Sequence, residues 1–486
     1  MTSATFLAEA ASLAVAPRAF FAAASERIGA GARPVTFYGQ PAASPQDLTL
    51  TLVLQGEGGL EVLRTDVDRA HGWHSLTRKH PALHVFEREI YEQHGAKPHD
   101  HPWLKPVRFA GPATVPMDEY PFFSLDGKEV HEVAVGPIHA GVIEPGHFRF
   151  MCLGETVHHL EIHLGYQHRG AEALLLGRDP RTLAPLVETL AGDASVAHAW
   201  AHAGAVEALA GRPAPDAVEL SRAVGLELER IAMHLAGLSG LAQDVAFLQG
   251  ASSYGRLRTT AINTSMLVCG SRFGRGWIRP GASRCELAEV LPQLRANLAL
   301  VARDVAIIDE RLLASASVRH RLEGTGVLTR AQAEELGMVG AAARASGVPV
   351  DLRAHLPTAP YARLPTGVVV EAGGDCWARA LVRVREIGAS LRWLRAALDA
   401  WAPLPATPAL GPLAPGMLAI GLCESWRGEV VHALETDARG RLAAYKAQDP
   451  SLRNWHGLAL AVRDNEISDF PICNKSFDLS YCGNDL

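Results

Sequence analysis

The sequence has seven cysteines, but no two of them form a C-x-x-C pair. Iron–sulfur clusters and zinc sites commonly take their thiolate ligands from such closely spaced pairs. Scattered cysteines also differ from the dense disulfide frameworks of small secreted domains. We therefore expect no iron–sulfur cluster within this chain, and its cysteine usage is typical of a reduced cytosolic protein.

We also expect neither a secretion signal nor a membrane-spanning helix. No basic segment opens the Ala-rich residues 1–16, which we predict to form an N-terminal helix. The longest uncharged run, residues 400–423, contains five prolines that would break a membrane helix, and we predict a surface connection there. A net charge of -6 gives no indication of nucleic-acid binding. No glycine-rich loop has the strand–loop–helix setting of a dinucleotide site.

Patterning divides the chain into two unequal parts. Alternating apolar residues predict strands at 49–54 and 60–67, joined by a hairpin turn at GEGG, and a helix follows at 86–94. Proline and glycine are frequent at 110–127, which is typical of a connecting segment. We predict a small α+β domain at residues 1–111 and a linker at 112–128.

The second domain, residues 129–486, is predicted to be mainly α-helical. Apolar residues spaced three or four apart predict long helices at 216–249, 286–313 and 378–398. A short β region precedes them, with strands at 130–136, 148–153 and 157–164. The fold class is therefore α+β, with a bundle-like helical body.

Two polar stretches carry most of the functional information. The first is GPIHAGVIEPGHFR at 136–149, followed by GYQHRGAE at 165–172, and the second is the tail ISDFPICNKSFDLSYCGNDL at 467–486. Together with ELERIAMH and ESWRGE, they resemble the large subunit of group 4, membrane-bound NiFe hydrogenases such as that of formate hydrogenlyase. They also resemble, more distantly, the homologous subunit of respiratory complex I. FEREIYEQHG and HPWLKP resemble the small complex I subunit that is often fused in front.

In that family, four cysteines hold nickel and iron, which need soft sulfur donors. The resemblance places the early pair at Ala191 and Ala194 and the later pair at Ser480 and Gly483, with Cys482 out of register. Methyl, hydroxyl and hydrogen cannot replace four thiolates. The sequence therefore predicts no metal and no hydrogenase activity, and a hydrogenase with substitute ligands is the minor alternative.

The resemblance also implies a cavity at the lost centre, which in complex I serves a quinone. Its candidate lining residues are His139, Glu144, His147, Arg149, His198, Arg427 and Asp478. A histidine titrates near neutral pH, so a histidine of the 136–149 loop could protonate a quinone. The alternative is loop capping and interdomain packing. His198 shares a helix face with His202, and there we favour packing over metal binding.

By the same resemblance, His168, Arg169 and Glu172 lie near the terminal iron–sulfur cluster of a partner subunit. A fixed positive charge there would raise the reduction potential of the cluster. The alternative is a salt bridge between Arg169 and Glu172 at helical spacing. His159 and His163 share a strand face, but at ~13 Å they are too far apart for one metal ion.

The resemblance implies a peripheral subunit on the cytoplasmic face of the inner membrane. Its partners would be a small iron–sulfur subunit and antiporter-like membrane subunits. No cofactor is expected in the chain itself, although a quinone could bind its cavity. The function would be electron transfer to quinone or coupling to ion translocation, and the alternative is a structural scaffold with no redox role.

Overall fold

The computed structural model describes residues 5–139 and 143–486. The N-terminal part contains β1 (Thr5–Glu9), α1 (Pro17–Gly29), β2 (Arg33–Pro41), β3 (Asp47–Gly56), β4 (Gly59–Asp68), β5 (Trp73–His74), α2 (His84–His94) and β6 (Pro98–His99). The middle part contains β7 (Val130–Val135), β8 (His147–Leu153), β9 (Thr156–His163), α3 (Ala171–Leu175), α4 (Ala184–Val187), α5 (Ser195–Leu209), α6 (Asp216–Asp244), α7 (Leu248–Cys269), β10 (Ile278–Arg279), β11 (Ala282–Ser283) and α8 (Leu291–Ala314). The last part contains α9 (Ala316–Leu322), α10 (Arg330–Glu335), α11 (Gly340–Ala345), α12 (Leu352–His355), α13 (Ala359–Arg363), α14 (Cys376–Asp399), β12 (Met417–Glu424), β13 (Glu429–Thr436), β14 (Leu442–Gln448), α15 (Ser451–Ala461), α16 (Phe470–Phe477) and α17 (Tyr481–Asp485).

The N-terminal unit is an antiparallel β2–β3–β4 sheet covered by α1 and α2. Gly56 pairs with Gly59, so the GEGG hairpin is confirmed, as are the two predicted strands and the helix at 86–94. Apolar side chains from the sheet and both helices, including Phe20, Phe37 and Phe86, form its core. The predicted α+β fold class is confirmed, and the N-terminal unit already combines an antiparallel sheet with helices.

The prediction of a helix at residues 1–16 was wrong. Residues 5–9 form strand β1, which pairs antiparallel with β12, so that Thr5 faces Gly421. Alanine favours helices only weakly, and pairing with a sheet edge overrides that preference. The start of the described chain is thereby joined to its last sheet.

The helical body is built on α6, which packs against α7, α14 and α16. The predicted helix at 216–249 ends earlier, because Ala246 takes a left-handed φ of 56° before α7 begins at Leu248. The predictions at 286–313 and 378–398 correspond to α8 and α14, and the predicted β region is the β7–β8–β9 sheet. We did not predict α7, whose apolar periodicity is weak.

The four-stranded sheet β1–β12–β13–β14 was also not predicted. Residues 401–416 form neither helix nor strand, in agreement with a connection, but β12 begins inside the proline-containing run. Helix α5 lies directly on this sheet, since a Cβ atom at Gly421 would come 2.0 Å from the carbonyl oxygen of Ala201. Only glycine allows this approach, which places the histidines of α5 against β13.

The N-terminal unit is attached to this sheet by ion pairs. Arg64 makes a bidentate contact with Glu435, at 2.8 and 2.9 Å. Arg33 donates to Glu429 at 3.1 Å, and Arg453 of α15 approaches the same carboxylate at 3.2 Å. Paired guanidinium and carboxylate groups give such a junction a defined geometry.

A buried ion network occupies the centre of the helical body. Arg344 of α11 donates to Glu386 of α14 at 2.6 Å and to Glu424 of β12 at 2.8 Å. Arg353 contacts Glu227 of α6 at 3.2 Å, and Arg230 lies 3.6 Å from Glu386. These side chains are at most 3% exposed, so each charge depends on its partners.

None of the helices within the described residues is both long and apolar enough to cross a bilayer.

Replacing Glu386 with glutamine should destabilise the protein by about 3–5 kcal/mol at neutral pH, because Arg344 and Arg230 would lose a buried counter-charge. Burial alone would raise the pKa of Glu386, but Arg344 and the hydrogen bond from His234 hold that pKa well below its usual value of 4.5. The carboxylate therefore stabilises the fold at pH values above about 4.5 and loses this effect as the pH falls below that value. Urea unfolding at several pH values measures the difference between the two proteins.

Glu334→Gln is the matched control, because Glu334 pairs with Arg330 on the exposed surface of α10 at 2.7 Å. That variant should change the unfolding midpoint little. Equal destabilisation by the two substitutions would contradict a central role for the network.

Candidate functional site

The two segments that carry the predicted lost-ligand positions lie side by side. One is the turn at 191–194, between α4 and α5, and the other is the start of α17. The guanidinium of Arg169 donates to the carbonyls of Thr189 and Leu190 at 2.8 and 3.0 Å. The same group donates to the carbonyl of Cys482 at 3.1 Å. Arg169 thus connects two segments that are almost 300 residues apart in sequence.

Arg169 does not pair with Glu172, so the salt bridge that we considered as an alternative was wrong. Helix α3 begins only at Ala171, after a left-handed residue, and the two side chains do not share a helix face. Glu172 instead approaches Lys446 Nζ at 2.9 Å. His168 Nδ1 bonds to the carbonyl of Asp485 at 2.7 Å. The location of these three residues beside a partner's cluster stays a prediction.

Small side chains occupy three of the four predicted lost-ligand positions, and all three are buried. Ala191 and Ala194 are fully buried in the turn before α5. The hydroxyl of Ser480 accepts a hydrogen bond from the amide of Gly483 at 2.9 Å and thereby caps α17. Serine at this position therefore has a structural use.

The fourth position, Gly483, is covered by the carboxylate of Asp449. A Cβ atom at Gly483 would lie 2.6 Å from Cγ of Asp449 and 2.9 Å from Oγ of Ser480. Asp449 is itself held by His198 Nε2 at 3.2 Å and by the amide of Ser451 at 2.8 Å. Any side chain at position 483, a cysteine included, would require Asp449 to move.

The thiol of Cys482 is the sulfur nearest to these positions in the chain. It lies 3.4 Å from Oγ of Ser480 and faces the amide of Gly192 and the carboxylate of Glu144. Burial and the charge of Glu144 raise the pKa of this thiol to about 11. Cys482 is therefore a protonated thiol at neutral pH in this environment.

Arg427 and Asp478 meet at the same place. The guanidinium of Arg427 makes a bidentate contact with Asp193, at 2.6 and 2.7 Å, and donates to the carbonyl of Asp478. Its Cζ atom lies 3.9 Å from the ring centroid of Trp426. The carboxylate of Asp478 is 3.7 Å from Arg383. Arg427 thus ties the 191–194 turn to the chain just before α17.

The described part of the loop between β7 and β8 contacts this region through Glu144. His139 Nε2 bonds to the carbonyl of Gly146 at 2.9 Å, and His147 Nδ1 bonds to that of Gly136 at 3.0 Å. Glu144 accepts a hydrogen bond from the amide of Tyr481 at 3.4 Å, which brings the loop to α17. Residues 140–142 of the predicted loop lie outside the described residues.

Arg149 lies on β8 near His147 but is engaged differently from the other candidates. It forms an ion pair with Glu132 of β7, and its guanidinium lies 4.2 Å from the ring centroid of Phe122. The same phenyl ring is 5.8 Å from the ring of His147. Phe122 therefore joins the two, and it was not among the predicted residues.

His198 and His202 do share a face of α5, but they do not converge on one point. His198 Nδ1 bonds to His432 at 3.0 Å, and His202 Nδ1 bonds to the hydroxyl of Tyr445 at 2.8 Å. Sequence reasoning missed Asp449, His432 and Tyr445. A histidine inside the apolar strand EVVHALE was the only signal, and by itself it indicates no partner.

A cleft of about 500 Å³ lies between the N-terminal unit, the β7–β9 sheet and α15. Its aromatic walls are Trp103, Tyr120, Phe123 and Trp455. The indole of Trp455 is 4.9 Å from the ring of Tyr481, so one wall of the cleft supports the start of α17. The volume is that of a small-molecule site. Its walls come from distant parts of the chain, so no local pattern predicts it.

Within residues 5–139 and 143–486, no three His, Cys, Asp or Glu side chains are arranged to hold a metal ion. His159 and His163 illustrate why. The ring of His163 stacks between Phe109 and Phe122, at centroid distances of 5.0 and 4.2 Å, whereas His159 contacts Phe123 at 4.6 Å.

Residues 244–412 match the family described as the 49 kDa subunit of respiratory-chain NADH dehydrogenase. Hydrogenase-4 component G of Escherichia coli is 30% identical over 437 residues, covering 84% of this chain and 74% of that protein. Formate hydrogenlyase subunit 5 of the same organism is also 30% identical, covering 84% and 76%. NADH-quinone oxidoreductase subunit 4 of Thermus thermophilus is 28% identical and covers 75% of this chain and 96% of that protein.

A solved structure has the same fold. A chain of the membrane-bound sulfane sulfur reductase, described as an archaeal respiratory membrane complex, superposes with a TM-score of 0.69. It is 23% identical, and the match covers 76% of this chain and all of that one. These similarities confirm the resemblance found in the sequence motifs. The chain belongs to the family of hydrogenase-4 component G and formate hydrogenlyase subunit 5, which is related to the 49 kDa subunit of respiratory NADH dehydrogenase.

Proposed function

We propose that this chain is a subunit of a membrane-associated oxidoreductase complex and holds no NiFe centre of its own. The observation that carries the proposal is the position of Asp449 against Gly483, because it closes the place where a fourth thiolate would stand. The retained frame around Arg427, Asp193 and Asp478 would then serve electron transfer to another acceptor or coupling to ion translocation.

The residues present do not fit a nickel–iron group. Such a centre requires four soft donors, and the four positions offer two methyl groups, one hydroxyl and one hydrogen atom. The hydroxyl of Ser480 is already bonded to the amide of Gly483. The neighbouring Cys482 adds a single thiol, which lies out of register with the two ligand positions and 3.4 Å from Oγ of Ser480. No step of the proposed function therefore runs through nickel.

The proposed acceptor is a quinone bound near the β7–β8 loop. Reduction of a quinone needs protons as well as electrons, and the loop presents two histidines with ring nitrogens held at backbone carbonyls, His139 and His147. Glu144 lies in the same loop and contacts α17. These three residues would position the acceptor head group and supply a proton to it.

The proposed partners are a small iron–sulfur subunit and antiporter-like membrane subunits, at the cytoplasmic face of the inner membrane. Support comes from the names of the relatives, which include the membrane-bound hydrogenase subunit alpha of Pyrococcus furiosus and the NADH-quinone oxidoreductase subunit of Thermus thermophilus. Arg169 and its neighbours at the 165–172 segment would face the cluster of the iron–sulfur partner.

A structural scaffold is the second candidate, and one observation favours it. Hydrogen bonds from Arg169 and Arg427 connect the segments that a metal would otherwise join. A subunit of this kind could keep its fold without taking part in electron transfer.

The purified complex should contain no stoichiometric nickel associated with this chain and should not evolve hydrogen. Metal analysis of the complex, with and without this subunit, measures the nickel content. One nickel per chain together with hydrogen evolution would overturn the proposal.

Gly483→Ala should destabilise the chain by about 1–3 kcal/mol, because the new methyl group overlaps Asp449 and Ser480. In the Asp449→Ala background the same change should cost less, since the closest atom is gone. Gly411→Ala is the control, because a Cβ atom there meets nothing within 4 Å. The unfolding midpoints of the variants measure these differences. Equal destabilisation by Gly483→Ala in both backgrounds would show that Asp449 does not close position 483.

His147→Gln should lower inhibitor-sensitive quinone reduction by the assembled complex by roughly 10²-fold, because glutamine keeps a donor for the carbonyl of Gly136 but cannot titrate. His131→Gln is the control on the same sheet, where the histidine is exposed. Unchanged quinone reduction in His147→Gln and in His139→Gln would favour the scaffold.

A further inference from the structure

Five polar groups form a continuous buried row between α5 and the last sheet. The row begins at Asp449, passes through His198, His432 and Tyr445, and ends at His202, which bonds to the carbonyl of Pro180. The five successive hydrogen bonds measure 3.2, 3.0, 2.8, 2.8 and 2.8 Å. The three histidines are fully buried, and Asp449 is 1% exposed. We call this set the histidine row.

The number of hydrogen atoms in the row can be counted. Each hydrogen bond needs one proton between its two heavy atoms, so five bonds need five protons. Three neutral histidines and one tyrosine supply four, and an ionised Asp449 supplies none. The complete row therefore requires one proton more than its neutral rings and carboxylate contain.

The carbonyl of Pro180 sets the direction of the bonds. A carbonyl cannot donate, so His202 must donate to it from Nε2. A neutral His202 then accepts at Nδ1 from the hydroxyl of Tyr445. That hydroxyl must in turn accept from His432 Nδ1, and His432 accepts at Nε2 from His198 Nδ1. The fifth proton consequently lies between His198 and Asp449.

The extra proton can occupy other positions without breaking any bond. If His432 carries it, the ring donates from both nitrogens, and His198 donates to an ionised Asp449. If His202 carries it, His202 donates to the hydroxyl of Tyr445, and that hydroxyl donates to His432. His432 then donates to His198, so these three bonds all reverse their direction. Each form keeps all five bonds, which is the requirement for moving a proton along a hydrogen-bonded chain.

The surroundings favour the Asp449 end. Burial lowers the pKa of His202 to about 4 and, with the neighbouring histidines, lowers that of His432 well below its usual value. At the other end, the hydrogen bond from His198 and the charge of Arg427 outweigh burial and lower the pKa of Asp449. These shifts disfavour a positive charge on His202 or His432 and keep Asp449 ionised, so the count of hydrogen bonds leaves the fifth proton in the bond between His198 and Asp449.

We propose that the histidine row holds one excess proton, shared between its rings and Asp449, beside the closed ligand position at Gly483. The charged groups that face the row are Arg427 at Asp449 and Glu172 at Tyr445. A proton passing from His198 through Asp449 towards the site would leave the row with four protons for its five hydrogen bonds. Its delivery to a reduced acceptor rests on the proposed function, but its presence in the resting protein does not.

Nitrogen-15 NMR of the full chain, labelled in its histidines, tests the proposal. At about pH 8, exposed histidines are neutral, so a ring protonated at both nitrogens identifies the excess proton. We expect one such ring, which should disappear in His198→Gln. An alternative supporting result is a protonated Asp449, seen as an infrared carboxylic-acid band that is lost in Asp449→Asn, with His198 and His432 protonated at Nδ1 only.

Tyr445→Phe gives the sharper result. Without the hydroxyl only three bonds remain, and three neutral histidines supply all three protons. The doubly protonated ring should therefore disappear, and His198, His432 and His202 should all carry a single proton at Nε2. A tyrosine that only fills space would leave the protonation states unchanged on removal of its hydroxyl.

Tyr254→Phe is the matched control, since Tyr254 bonds to Asp309 in the helical body and does not contact the row. It should leave the histidine signals as in the unmodified chain. The proposal would be overturned if all three row histidines of the unmodified chain were singly protonated and no carboxylic-acid band were lost in Asp449→Asn. Because no turnover is needed, failure of quinone reduction would not affect this outcome.

Discussion

The geometry of the site depends on the buried pairing of arginine and carboxylate groups in the helical body. Arg230 is held between Glu227 and Glu386 and donates to the carbonyls of Glu424 and Ser425, at 2.6 and 3.0 Å. These two bonds fix the turn after β12. A charge without its partner in such an interior would cost several kcal/mol. Removal of any one member of the network should therefore destabilise the fold.

From that turn the constraint passes to the site itself. Arg427 follows two residues after Ser425 and holds Asp193, which places the 191–194 turn. Arg169 holds the same region to the start of α17. In a hydrogenase, a metal bound to both segments would supply this connection. Here protein hydrogen bonds connect the two segments, as the predicted loss of the thiolates would require.

The sequence allowed part of this arrangement to be predicted. Periodicity located α14 and the β7–β9 sheet, because that signal is local. Motif resemblance predicted the ligand positions at Ala191, Ala194, Ser480 and Gly483, and the structure brings their two segments together. Strand β1 escaped prediction because its partner lies more than 400 residues away. The row beyond His198 escaped for the same reason, since its partners His432 and Asp449 are 234 and 251 residues distant. Buried polar contacts between distant segments produce no periodic pattern in the sequence. A histidine in an apolar strand can also bond to many different partners.

Asp449 connects the two halves of the proposed mechanism. Its carboxylate covers Gly483 and also ends the histidine row, so the group that excludes a fourth thiolate is the one that can accept or release a proton. An electron arriving at an acceptor in a dry interior adds a charge that few groups nearby can screen, and uncompensated charge is costly there. A proton moved from the His198–Asp449 bond to the reduced acceptor would neutralise that charge within the site. The space left by a metal would then contain the proton chemistry that reduction of an organic acceptor requires.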